Sequence, residues 1–125
     1  MDRLFADTYA LIEILKGSES YQRHAMCELV TTEFNLLELA YALLRDFRED
    51  DVETILGRVR DNIEVIKVTD REYIEASKFR IQVRRREKKL SLTDCLGYVT
   101  AKKLGIKFLT RHISPLLYTE RLSAI

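Results

Sequence analysis

Three carboxylates and one histidine stand where their neighbours raise the question of chemistry. Asp7 directly follows the short apolar run "RLFA". Glu38 lies inside "FNLLELAYALL" (residues 34–44), which holds nine apolar residues, one asparagine and that single acid. Asp94 sits in "LSLTD", and His112 follows "KFLTR". A stretch as rich in Leu and Ala as 34–44 is expected to form a helix buried on nearly every side. A carboxylate there must be protonated, paired or bound to a cation. Carboxylates gathered in a partly dry cleft raise one another's pKa and destabilise the fold, a cost that a divalent cation removes. Hard oxygen donors favour Mg2+ or Mn2+. Such an ion activates water and neutralises charge on a phosphodiester under attack, so the chemistry implied is hydrolysis of a nucleic acid strand.

Each residue also has a plainer reading. Asp7 can cap a helix starting at Thr8. Asp94 completes an S-x-x-D capping pattern with Ser91. His112 can be a loop histidine with a local hydrogen bond. Glu38 can form a buried pair with a cation such as Arg45, or lie at the sheet edge. A basic tract, "KFRIQVRRREKK" (78–89), holds seven Lys or Arg and one Glu just ahead of Asp94. Its Arg84, Arg85, Arg86, Lys88 and Lys89 can guide a phosphate backbone, or form a solvated helix end with cations suited to its dipole.

The elements that would position these groups follow from pattern. "RLFA" reads as a buried strand, "TYALIEILK" as a helix ended by Gly17, and Ser18 to Met26 as a second short helix. "ELVT" is a possible strand, and the helix through Glu38 takes Thr32 as its N-cap. "EDDVETILGRVRD" is a helix with an acidic start, and "NIEVIKV" (62–68) a strand. Asp70 caps a long helix whose apolar positions are Tyr73, Ile74, Ala76, Phe79, Ile81 and Val83. "LSLTDCLGYVTAKKLG" is a helix with Gly105 as its C-cap, "IKFLT" a fourth strand, and "SPLLYTERL" a terminal helix opened by Pro115. Strands alternating with helices predict an α/β fold: a short, mostly parallel sheet of four to five strands with helices on both faces. Ligands of such sheets bind beyond the carboxyl ends of the strands.

The bulk properties set bounds. The chain has 125 residues, which predicts one domain spanning 1–125, with 46% hydrophobic and 33% charged residues. The net charge of +1 gives no global attraction to nucleic acid, so any such case rests on local patches. Cys27 and Cys95 have no C-x-x-C or zinc-ligand spacing and read as small core residues in a reducing compartment. No secretion signal or bilayer-spanning run is visible, which predicts a cytoplasmic protein with no membrane partner. P-loop, G-x-G-x-x-G and G-x-S-x-G motifs are lacking.

The order "FADTYALIEIL", "TTEFNLLELAYAL", "LSLTDCLGYVTAKKLGIKFLTRH" resembles the PIN-domain ribonucleases, and among them the toxin subunits of VapBC-type toxin–antitoxin pairs. The resemblance implies a three-layer α/β/α sandwich and a Mg2+- or Mn2+-dependent endoribonuclease. It implies that Asp7, Glu38 and Asp94 are the metal-binding acids and that Thr110 is the polar residue after the last strand of the site. The family's fourth acid, in a T-x-D pattern, is replaced by His112, which could act as a metal ligand, an acid or base, or a phosphate contact. RNA as substrate, an antitoxin as partner and a homodimer are implied as well. Tyr9, Leu11, Ile12 and Tyr41 are the candidate contact residues. The alternatives are a catalytically weak PIN-like domain that binds RNA or a partner without cutting, and a receiver-like or haloacid dehalogenase-like phosphotransfer fold. Against the last, "DTY" supplies no D-x-D, and Lys107 falls within a strand rather than after it.

Overall fold

A computed structural model describes residues 3–19, 27–85 and 90–109. The chain runs β1 (Arg3–Ala6), α1 (Thr8–Leu15), β2 (Glu28–Thr32), α2 (Glu33–Leu43), α3 (Glu49–Asn62), β3 (Glu64–Ile66), α4 (Asp70–Arg85), α5 (Leu92–Leu104) and β4 (Lys107–Leu109). The four strands form one sheet in the order β3-β2-β1-β4, and every pairing is parallel. Leu4 lies beside Leu29 on one side and Lys107 on the other.

Successive residues of a strand point to opposite faces, and both faces here are apolar, as a covered parallel sheet requires. Leu4, Leu29 and Leu109 join Ala10 and Leu11 of α1, Leu36, Leu39 and Leu43 of α2, and Val52 and Val59 of α3. On the opposite face Phe5, Val30 and Phe108 join Ala76 and Val83 of α4 and Cys95, Leu96, Tyr98 and Ala101 of α5. Helices α1–α3 therefore cover one face and α4–α5 the other. This is the expected three-layer α/β/α arrangement, with four strands among the described residues.

Local signals fix the helix ends. Gly17 and Gly105 adopt left-handed φ values of 74° and 68°. In each case the two amides after the helix turn back to its last carbonyls: Gly17 to Ile14 and Ser18 to Glu13, then Gly105 to Lys102 and Ile106 to Ala101. Glu49, Asp50 and Asp51 occupy the first turn of α3, where the dipole favours them.

Several expectations need correction. β3 is shorter than the expected 62–68 and, as an edge strand, leaves Val65 and Ile66 only half-buried. Asp70 is the first residue of α4 rather than its cap; the Tyr73 amide donates to the Thr69 carbonyl just ahead of the helix. Of the apolar positions assigned to α4, Ala76 and Val83 are buried, whereas Tyr73, Ile74 and Ile81 are exposed. The helix continues the hydrophobic spacing around more of its circumference than its single packing face can use. The short helix to Met26 and the helix opened by Pro115 lie outside the described residues, apart from the first two positions of the former.

Candidate active site

Asp7 ends β1 and begins α1. Its amide donates to Leu109 O at 3.1 Å, which carries the β1–β4 ladder one residue beyond the strands. Its Oδ1 accepts from Ala10 N at 2.8 Å, so the helix-capping reading of this residue holds. Only 4% of Asp7 is exposed. A buried carboxylate needs hydrogen-bond donors, and the amide of the first turn of α1 supplies one.

Glu38 is placed differently from the sequence expectation. It is exposed, and α2 is not buried all round. Asn35, Leu36, Leu39 and Leu43 face the core, while Leu37 is 71% and Tyr41 70% exposed, together with Phe34 and Leu44. An eleven-residue helix with this many apolar residues has more of them than one packing stripe can take. The expected pair with Arg45 does not form; the Arg45 guanidinium lies over the Tyr41 ring, 5.2 Å from its centroid. The partner of Glu38 is Thr8, whose hydroxyl donates to Oε1 at 2.7 Å. Because Thr8 adjoins Asp7 in the chain, this bond draws the carboxylate of α2 toward the end of β1.

Asp94 opens α5. Its Oδ2 accepts from Ser91 N at 3.1 Å, and Ser91 Oγ accepts from Asp94 N at 3.0 Å, the reciprocal box expected from the S-x-x-D pattern. Two residues separate α5 from β4, so the helix runs antiparallel to the strand and carries Asp94 to the sheet end where Asp7 lies. Gly97 permits this packing, since a Cβ there would stand 2.8 Å from both the Phe5 and Phe108 rings. Cys95, next to Asp94, is fully buried, and burial first, then the Asp94 charge, push its thiol up to about 11. That leaves a neutral, inert thiol, in keeping with the core reading of Cys95, whereas Cys27 is only half-buried at the edge of the core.

The three acids thus come from α1's cap, α2 and α5, with Asp7 and Glu38 joined through Thr8 and Asp94 at the same end of the sheet. No group of three His, Cys, Asp or Glu gathers closely enough for a metal among the described residues. Thr110 and His112 lie outside them, as do Arg86, Lys88, Lys89 and the side chain of Arg85. Of the basic tract, Arg84 is exposed and Lys78 pairs with Glu75 at 3.6 Å. Arg80 turns inward, with Nη1 buried and without a hydrogen-bond partner among the described residues. Of the candidate contact residues, Leu11 is core and Ile12 half-buried, which removes Leu11 as a surface contact. Asn35, which sequence reasoning passed over, and Thr32, expected only as a helix cap, form a buried polar pair beneath Thr8. The lone asparagine in an otherwise apolar helix was the available signal.

Parallel α/β folds with acidic side chains beyond the carboxyl ends of the central strands form the class to which this geometry belongs. Within it, the chain belongs to the PIN domain family, whose model matches residues 4–112. Solved structures share the fold at low identity. VapBC2 from Rickettsia felis, bound to a DNA fragment from its promoter, is similar with a TM-score of 0.74 and 15% identity, covering 96% of this chain and 92% of that one. VapBC-1 from nontypeable Haemophilus influenzae gives 0.75 and 12%, covering 98% and 92%. VapC20 from Mycobacterium tuberculosis, a Sarcin-Ricin loop cleaving toxin, gives 0.72 and 17%, covering 92% and 94%. No curated protein matches the chain.

Proposed function

We propose that this protein is a divalent-metal-dependent endoribonuclease, the toxin of a toxin–antitoxin pair. The observation that carries the reading is the hydrogen bond that ties Glu38 of α2 to Thr8, the residue next to Asp7, at the carboxyl end of the parallel sheet of a PIN domain. The donor chemistry fits a hard cation. Both groups offer carboxylate oxygens, and Glu38 has no ion pair among the described residues. Mg2+ needs only one or two carboxylates, with water completing its shell, so a closed trio is not required. Asp7 and Glu38, with Asp94 across the site, would hold Mg2+ or Mn2+. When bound, such an ion lowers the pKa of water and offsets the charge gathering on a phosphodiester. Asp7 is held by its cap bond and Glu38 by Thr8, which limits the freedom of both carboxylates before a cation arrives. Thr110 and His112 would complete the site, and Arg84, Arg85, Arg86, Lys88 and Lys89 would guide the RNA backbone toward it.

The toxin assignment draws support from structural neighbours that include toxin–antitoxin complexes. The apolar face of α2 on either side of Glu38 offers an antitoxin a surface from which to block RNA entry. A homodimer and a cytoplasmic location belong to the same proposal; no described helix is long and apolar enough to cross a membrane. The test is cleavage of RNA by the purified chain with Mn2+ or Mg2+. Asp7→Asn and Glu38→Gln should abolish it while circular dichroism stays unchanged, and unaltered cleavage in both variants refutes the roles given to them.

One observation favours a second reading, a PIN domain that binds RNA or a partner without cutting. Asp7 and Asp94 each spend an oxygen on a helix cap, and no three-carboxylate group closes among the described residues. Calorimetric titration separates the two: absence of Mn2+ and Mg2+ binding at millimolar levels selects the second.

A further inference from the structure

We propose that Asn35 is a positioning residue of this site, aiming the Glu38 carboxylate through Thr8 at the bound cation. The inference rests on the nuclease reading above. Asn35 lies one helical turn before Glu38 and is 1% exposed, on a helix whose other buried residues are all leucines. A buried amide is costly unless every polar atom finds a partner, so its presence calls for a reason other than packing.

The hydrogen bonds form a chain with a direction. The Thr32 hydroxyl accepts from Asn35 N at 3.3 Å and donates to Asn35 Oδ1 at 2.7 Å. With its oxygen thus occupied, the amide turns its NH2 to Thr8 Oγ1, at 3.2 Å. Thr8 then has one hydroxyl hydrogen left to give. Two acceptors stand within reach: Glu38 Oε1 at 2.7 Å and, more distantly, Asn35 O at 3.4 Å. The short bond goes to the carboxylate. A glutamate on an exposed helix face has three free torsions, and this chain of donors ties one of its oxygens to a rigid, buried anchor. Thr32 itself caps α2, so the anchor is part of the helix's own start. Neighbours of this kind fix the orientation of a metal-binding carboxylate without touching the metal.

The inference is tested by breaking the chain at two places. Asn35→Leu removes the amide and keeps the branched shape, at a larger side-chain volume. Asn35→Asp keeps the shape of the side chain but offers no N–H, so the Thr8 hydroxyl turns to the introduced carboxylate. Thr8→Val removes the link without altering the buried position. Titrated with Mn2+ alone, each variant that melts cooperatively should bind roughly 10–100-fold more weakly than wild type. RNA cleavage should lose kcat in the same range, with KM for RNA within about threefold. In a Glu38→Ala background, Thr8→Val should leave Mn2+ affinity unchanged, because the group it positions is gone. If the wild type binds Mn2+ and cleaves RNA, yet Thr8→Val and a folded Asn35 variant stay within about twofold of it, the inference is overturned and the nuclease reading stands. A wild-type chain that neither binds Mn2+ nor cleaves RNA overturns both.

Discussion

The packing of α5 on the sheet makes a quantitative prediction at Gly97. A methyl group there would sit 2.8 Å from Phe5 Cε1 and Phe108 Cε2 and 3.3 Å from Phe108 Cζ. Carbon atoms rest at about 3.5–4.0 Å, so the helix or the rings must give by roughly 0.7 Å or more. Neither ring has room to yield. Both are fully buried, they pack on each other with centroids 5.6 Å apart, and they belong to neighbouring strands. Overpacking of this kind costs about 1–3 kcal/mol, while replacing a helical glycine by alanine returns about 1 kcal/mol. The net expectation for Gly97→Ala is a loss of up to about 2 kcal/mol, or up to roughly 8 °C in melting temperature. Gly57 provides the control, since it is helical and exposed and its added Cβ meets nothing within 4 Å. Gly57→Ala should therefore raise stability by up to about 1 kcal/mol. Urea and thermal melts of the two variants read the difference directly. A Gly97→Ala protein stabilised as much as Gly57→Ala would refute the view that the two rings set how closely α5 approaches. The displacement also reaches the site, because Asp94 lies three residues before Gly97 on the same helix.

Three further outcomes follow from local geometry. Glu72 is 4% exposed and bonded to the Thr69 hydroxyl and to Lys103 Nζ at 3.0 Å, which hold its carboxyl below the ordinary value of 4.5. A lowered native pKa adds stability above the unfolded value that is lost as pH falls through the native one. Glu72→Gln should therefore be less stable than wild type at neutral pH, with the gap narrowing from pH 4.5 downward in acid titrations of folding. Ser91→Ala removes the hydroxyl that caps α5 and should cost about 1 kcal/mol in urea melts, without changing the m-value. Cys95, with its thiol raised to about 11, should resist iodoacetamide at neutral pH in the native protein and react only after unfolding, as peptide mapping would reveal; rapid native labelling refutes the burial argument.

The layers and most helix termini were legible because their signals are local. Gly17 and Gly105 end helices by supplying left-handed backbone, and Thr32, Asp7 and Ser91–Asp94 start them by offering oxygen to the first amides. The first and last strands were legible for a different reason: both faces of a covered parallel sheet are apolar, so "RLFA" and "IKFLT" read as short, mostly apolar runs. What failed was depth of burial. In α4, composition cannot tell Ala76, which is buried, from Ile74, which is exposed, because spacing alone does not say how wide a stripe the partner elements cover.

The same failure at α2 bears on the site. Nine apolar residues around one acid suggested a carboxylate sunk in the core, compensated by a cation. In the structure the helix divides its surface instead. Leu36, Leu39 and Leu43 bind it to the sheet, Leu37 and Tyr41 stand outward, and Glu38 lies between these faces. Burial therefore is not what constrains Glu38. A helix held rigidly from beneath fixes the backbone at residue 38, and the Thr32–Asn35–Thr8 chain fixes the carboxylate that projects from it. An exposed acid can then be as well placed as a buried one without the desolvation that burial would impose. The asparagine, the least conspicuous polar residue of the stretch, supplies the constraint that the apolar composition was expected to provide.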